Sequence, residues 1–499
     1  MDPESDEWLL MDGCYSEAER SDDMALKLEG LRIALNEPLT SHLGMTIKEI
    51  TRCARRLREL ADIAQVKRDC VAHVLHHLNV VLPCMCQSLQ TMRDYYLLCS
   101  LSKKNRWRSM YHDMKEEANG LPLHERFHLY YGYVTLLRNF FTRYGCFSST
   151  HVTKGLTRRC RCPPLRYEME MLECQLMDLR EARDIEHPCQ VLLGPLALLP
   201  VTYRPDPISH WAENVFSPGP RTPIKNTEKT LSLGPNRELG HYSIPVFSKV
   251  LFRQSFDKDA VSLTAFLNSH DNCAYLLLRM TKDWKPWFSI RGVHELCIRR
   301  RGSSLELRRW SLKANRAKPW AILGFNTWEG IAASSSPAGN PAATARQELT
   351  RAADIAIMYC TFMSLKAKNR RTVQWASKEL ALGEEHKLFQ TQILDDGKNH
   401  LLTVYKDKAT GYFRLHAAVH DGELRQCPVW TAFVTEQPKL PNWLTRNPAK
   451  RKVWLSDIQL FVFCKQYREE NQHKGPAGQF QIHFAEEGGS RAFFARAFC

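Results

Sequence analysis

Apolar residues recur every three or four positions through roughly the first 185 residues, and every second position after Phe247. The first spacing predicts helices and the second predicts strands. A helix is expected from about Asp6 to Leu35, with a break near Gly13 and a stop before Pro38. Thr46-Ile47-Lys48-Glu49 reads as a capping box opening a second helix. Its apolar stripe runs Ile47, Ile50, Ala54, Leu57, Ala61 and Ala64, and Arg52, Arg55, Arg56 and Arg58 read as its solvated face. A third helix is expected over about Arg68 to Leu98, with Pro83 as kink or boundary. Leu123, Phe127, Tyr130, Val134, Leu137 and Phe141 then form the core stripe of a helix starting near Pro122, and Leu165 to Arg183 is a fifth. Residues 1–187 therefore read as an all-α bundle.

Residues 188–245 hold about ten of the 25 prolines and read as a linker. Within it, Ser209 would cap a short helix carrying Trp211, Ala212, Val215 and Phe216. Strands follow over Val250–Phe256, Val261–Leu267, Tyr275–Met280, Trp287–Ile298, Leu305–Trp310 and Trp320–Phe325, and a helix over Ile357–Lys368. The same order returns with Leu401–Lys406, Tyr412–Val419, Trp430–Val434, Val453–Phe463 and Phe480–Phe484, closed by a helix over Ser490–Phe498. Leu388-Phe389-Gln390-Thr391 echoes Leu251-Phe252-Arg253-Gln254 as the opening of each set. Two antiparallel β units are expected, 246–369 and 384–499, each closed by a C-terminal helix. The Ala- and Ser-rich stretch 331–353 interrupts the first, as an inserted loop or as translated intron.

One hairpin concentrates charge. Leu296, Ile298, Leu305 and Leu307 fall on one face, Cys297, Arg299, Glu306 and Arg308 on the other, and Gly302, Ser303 and Ser304 make the turn. Arg299, Arg300, Arg301, Arg308 and Arg309 flank that turn. Across the 499 residues, 69 Lys and Arg against 54 Asp and Glu leave +15, which favours acidic partners. The 17 cysteines do not argue for disulfides here. The acidic start Met-Asp-Pro-Glu-Ser-Asp-Glu has no signal-peptide core, and no apolar run reaches the length of about 18 residues that a membrane span needs. A cytoplasmic protein with reduced thiols is expected. Lys450-Arg451-Lys452 adds a short nuclear-import-like patch, and a peripheral membrane location is the other alternative.

Strand sets followed by one helix, with a Trp near its start, resemble the pleckstrin-homology-like superfold. More closely, the chain resembles a family of ascomycete fungal proteins with a helical N-terminal region. Four stretches carry the likeness: Leu121-Pro122-Leu123 to Leu137-Arg138, Lys249-Val250-Leu251-Phe252-Arg253, Trp287 to Arg300, and Asp421 to Val434. Residues 331–353 depart from it, as do those around Thr150 to Pro164. The resemblance implies a multi-domain α+β architecture and, since the family has no established activity, assigns no function. It also implies that basic residues around an early hairpin receive phosphoinositide headgroups, with Arg forks suited to phosphate.

One catalytic motif competes. His124-Glu125-Arg126-Phe127-His128 is a complete H-E-x-x-H, the arrangement in which two His one turn apart hold zinc and the Glu activates water. His151, Glu168 and Glu170 are the candidate third ligands. His73, His76 and His77 read as solvated or boundary residues, and Cys84-Met85-Cys86 and Cys160-Arg161-Cys162 as incidental thiols. Phosphate-binding loops, dinucleotide fingerprints and the nucleophile elbow are missing from the sequence. The expectation is a non-enzymatic adaptor that needs no cofactor and contacts protein partners. Its basic hairpin Arg299, Arg300, Arg301, Arg308 and Arg309 would meet acidic partners or anionic phospholipid. The alternative is a zinc-dependent hydrolase at 124–128. Nucleic acid is disfavoured, because no aromatic and basic sheet face like that of an RNA-binding module is evident.

Overall fold

The structure is a computed structural model; it describes residues 3–143, 163–183, 210–216, 229–325, 354–367, 382–434, 442–447, 451–467 and 479–496, apart from short gaps within those ranges. The N-terminal region is helical: α1 (Pro3–Leu35), α2 (His42–Val66), α3 (Leu75–Leu97), α4 (Lys103–Glu117), α5 (Leu123–Arg143) and α6 (Pro163–Ala182). The stripe Leu123, Phe127, Tyr130, Val134 and Leu137 is fully buried against Leu57 and Leu60 of α2 and Met85 of α3. The helix α1 runs unbroken through Gly13, and α3 keeps Pro83 inside it.

Two expectations for this region need correction. The capping box is not at Thr46. Ser41 caps α2 by accepting from Gly44 N at 3.2 Å, so Thr46 lies inside the helix and donates to His42 O at 2.7 Å. Gly44 is required there, because a Cβ would stand 2.3 Å from Leu39 O. The arginines of α2 are not a solvated face. Arg52 pairs with Glu49 and lies over the Tyr131 ring, Arg56 pairs with Glu59, and Arg58 is buried between Glu19 and Asp22 of α1. The helix α4 escaped the periodicity reading because it buries only Met110 and Met114.

A short helix α7 (Trp211–Val215) is capped by His210, which with Glu213 makes a full capping box. Then come β1 (Leu231–Ser232), β2 (Lys249–Phe256), β3 (Val261–Leu267), β4 (Ala274–Lys282), β5 (Lys285–Gly292), β6 (Leu296–Arg301), β7 (Ser304–Ser311) and β8 (Arg316–Gly324). Two four-stranded sheets result, in the orders β2-β3-β4-β5 and β1-β8-β7-β6. The single strand expected over Trp287–Ile298 is broken by a 3₁₀ turn at Val293–Glu295. Gly292 makes the corner, since a Cβ there would meet the His294 ring at 2.3 Å. One half of the stretch thus stays in the first sheet and the other half enters the second. The helix α8 (Asp354–Ala367) closes this unit.

The second unit comprises β9 (Glu385–Asp395), β10 (Lys398–Asp407), β11 (Phe413–Val419), β12 (Pro428–Val434), β13 (Leu444–Asn447), β14 (Lys452–Leu455), β15 (Leu460–Val462) and β16 (Phe480–Phe484). They form one sheet in the order β13-β14-β16-β9-β10-β11-β12-β15. The expected strand Val453–Phe463 is therefore two strands, β15 at one edge of the sheet and β14 next to the other edge. The helix α9 (Glu487–Arg496) closes the unit by burying Phe493 against Phe389 and Phe484.

The three regions share their cores. In the β2–β5 sheet, Leu276 and Leu278 face the β unit, whereas Leu277, Phe266 and Phe288 belong to the core of the helical region. Both sheet faces are covered, which explains the uninterrupted apolar run Leu276-Leu277-Leu278. At the centre of that junction Asp62 of α2 is 1% exposed and accepts from Arg253 Nε at 2.6 Å, Ser262 Oγ at 2.7 Å and Tyr15 OH at 2.8 Å. Arg279 Nε, on a side chain equally buried, lies 2.8 Å from Oδ1, the oxygen that Tyr15 also meets. Burial pushes the Asp62 carboxyl up, but Arg279 and Arg253, with the bonds from Ser262 and Arg253, outweigh it and hold it below the ordinary value.

The helix α8 is apolar all round and buried along its length. One side fills the first unit. The other meets the second, where Ser364 Oγ donates to Pro428 O at 3.3 Å and Cys360 Sγ lies 3.8 Å from Arg414 Nη1. Phe463 joins the first unit's core and meets the Trp211 ring in a T-shaped pair, 6.1 Å between centroids.

Candidate functional site

The basic hairpin is β6 with β7. Its register sets Arg299 opposite Glu306 and Arg301 opposite Ser304, and Gly302 turns with φ +57°. Leu296, Ile298, Leu305 and Leu307 are buried beneath it, as the alternation requires.

The five arginines separate. Arg300 shares the inward parity of Leu296 and Ile298. Its side chain is 8% exposed, pairs with Asp407 and Glu384 of the second unit, and donates to Gly302 O at 3.1 Å. Gly302 N in turn donates to Glu384 Oε1 at 2.8 Å. Arg300 is thus a junction residue, and its grouping with the surface arginines is corrected by the same alternation that placed the leucines. Arg308 lies 3.6 Å from Glu306 and donates to Ala317 O at 2.8 Å. Arg309, 54% exposed, lies 3.6 Å from Glu295. Arg299 and Arg301 are exposed and make no ion pair among the described residues.

The H-E-x-x-H motif occupies the first turn of α5. His124 packs against the His42 ring, 5.3 Å between centroids, and its Nδ1 is buried without a partner among the described residues. Burial lowers its pKa against the opposing pull of Glu125. His128 projects outward, with Nδ1 3.3 Å from Glu49 Oε2. The two rings therefore take different neighbours. Among the described residues, no group of three or more His, Cys, Asp or Glu could hold a metal ion. His151, His73, Cys160 and Cys162 lie outside the described residues. His77 is buried rather than solvated, with Nδ1 2.7 Å from Tyr133 OH.

Two family models, both described as a PH domain found in tandem in fungal proteins, match the chain: the N-terminal type over residues 242–333 and the C-terminal type over 386–498. The chain carries the tandem PH pair of fungal proteins. No curated protein and no solved structure matches it significantly.

PH domains are typically non-catalytic interaction modules, and the pair occupies the two β units. Their early hairpins are not basic. In the first PH unit the turn between β2 and β3 carries Asp257 and Asp259, and Asp259 is gripped by Arg55 of α2 at 3.3 Å and Arg253 at 3.5 Å. In the second, the turn between β9 and β10 reads Asp395-Asp396-Gly397-Lys398. The basic hairpin is a later one.

The sequence reading missed Asp62, Arg253 and Arg279. The signal was present: Asp62 interrupts the apolar run of α2 beside Ala61, and Arg279 sits between Leu278 and Met280.

Proposed function

We propose that this is a non-enzymatic adaptor protein working in the cytoplasm, and that Arg299 and Arg301 contact an acidic surface of a protein partner. The supporting observation is the division of labour in one hairpin. Arg300, Arg308 and Arg309 are each held by a carboxylate, whereas Arg299 and Arg301 reach solvent with none among the described residues. A guanidinium left in water keeps its five donors for an incoming carboxylate. The adaptor reading divides the chain into a helical region (1–187), a linker (188–245) and two PH units (246–369 and 384–499).

A second reading draws on the same arginines and the +15 excess: contact with anionic phospholipid at the membrane surface. Among the described residues, no helix is long and apolar enough to cross a membrane.

One experiment separates the readings. The full chain and its Arg299→Ala/Arg301→Ala variant are mixed with vesicles with and without phosphoinositide, and separately used to capture partners. Capture that needs the arginines, without sedimentation, supports the protein contact. Sedimentation that needs them replaces it with the lipid contact. Equal behaviour of variant and parent in both assays removes the hairpin from the function.

A further inference from the structure

The second PH unit contains a cavity of about 660 Å³ between the β9–β10 turn and the loop joining β11 to β12. That volume lies within the range of about 300–1,000 Å³ usual for ligand pockets. Val419, Leu424, Val429 and Tyr467 give it an apolar wall. Its ionised rim runs against the charge of the chain. Among the described residues Asp396, Asp421 and Glu423 face it against Lys398, in a protein with 15 more basic than acidic residues. Asp421 is also paired with His420, whose other nitrogen meets Gln392. A second feature is independent of the rim. His400 lines the cavity, is 6% exposed, and its Nδ1 has no hydrogen-bond partner among the described residues. Burial lowers the pKa of that ring, against the pull of Asp395 and Asp396 and a hydrogen bond to the Asp395 backbone.

We propose that this cavity binds a basic peptide segment of a partner, taking an arginine or lysine side chain into it. The aliphatic stem of such a residue packs on Val419, Leu424 and Val429, its head reaches the interior, and the neighbouring basic groups of the segment meet the acidic rim. A cationic head is all donor, and His400 Nδ1 offers it a buried acceptor in the tautomer that carries its proton on Nε2. An anionic headgroup would instead meet three carboxylates at the mouth.

The test uses the full chain and a fluorescently labelled hexa-arginine peptide, read by anisotropy, with hexa-glutamate as control. Asp421 and Glu423 are exposed, so Asp421→Asn/Glu423→Gln leaves the core untouched. Leu424→Ala, on the lip, is a second variant. Parent protein is expected to bind hexa-arginine despite its own net positive charge, with the double variant at least about ten-fold weaker and Leu424→Ala also weaker. Three results would overturn the proposal: no binding of hexa-arginine at about 1 mM, equal binding by parent and both variants, or binding of inositol hexakisphosphate that Lys398→Ala abolishes. The last outcome would make the cavity an anion site.

Discussion

Arg253 of β2 donates to Asp62 of α2 across 2.6 Å, with both side chains buried, and this contact joins the helical region to the first PH unit. It sits inside a shared core and has Arg279, Ser262 and Tyr15 around it. The carboxylate is therefore fully satisfied, which is the condition under which a buried charge is tolerated.

Removing that carboxylate takes from Arg279 its ion pair among the described residues and leaves Arg253 with Asp259, 3.5 Å away. Asp62→Ala is expected to cost about 3–5 kcal/mol, and Asp62→Asn a similar amount because an amide carries no charge. Chemical denaturation measures the loss. Limited proteolysis should show new cleavage where the helical region meets the β2–β5 sheet. A loss below about 1 kcal/mol for both variants would mean that apolar packing alone holds the junction.

Acid should act at the same point. The folded Asp62 carboxyl titrates below its ordinary value. Its contribution is thus present above the unfolded carboxylate pKa of about 3.9 and fades as pH falls through the lower folded value. Thermal unfolding between neutral pH and about pH 3 should show the gap between parent and Asp62→Asn closing only below about pH 4. A gap that closes already near neutrality would assign the effect to another group.

Neighbouring arginines on one hairpin should behave differently. Arg300→Ala removes the guanidinium from Asp407, whose side chain is 16% exposed, and from Glu384, at a cost of about 1–3 kcal/mol. Arg301→Ala is expected to stay within about 0.5 kcal/mol. Melting curves of the two variants decide it, and equal destabilisation would place Arg300 on the surface with its neighbours.

Thiol chemistry should follow burial. Burial pushes Cys14 and Cys360 up to about 12 and Cys84 up to about 11, so their thiolates are scarce at pH 8. Cys174 is exposed. Alkylation of the native protein followed by peptide mapping should label Cys174 well before Cys14, Cys84 and Cys360. Fast labelling of Cys360 would show that α8 leaves its seat readily.

Much of this fold was legible because strand and helix periods are local. The stripe of α5 and the strands around Leu263 and Leu402 needed only alternation and burial. Failures came where a long-range contact decided the outcome. The corner at Gly292 depends on the His294 ring, and the break after Leu455 depends on Trp443 accepting from Ser456 N at 2.8 Å. The site was half legible. Parity alone would have moved Arg300 to the inner face, but the second unit's Asp407, 107 residues later, could not be read from the hairpin. The cavity beside His400 was not legible at all, since it forms where the ends of β10, β11 and β12 meet the loop Asp421 to Cys427, and only strand pairing brings those together.

The helix α8 answers to two cores at once. A substitution that suits one PH unit must also suit the other, so drift along Asp354–Ala367 is vetoed twice. Among descendants of this chain, the helix should change more slowly than the strands on either side. The two units should then be inherited only as a pair, because neither could be shuffled away without stripping a face from the helix they share.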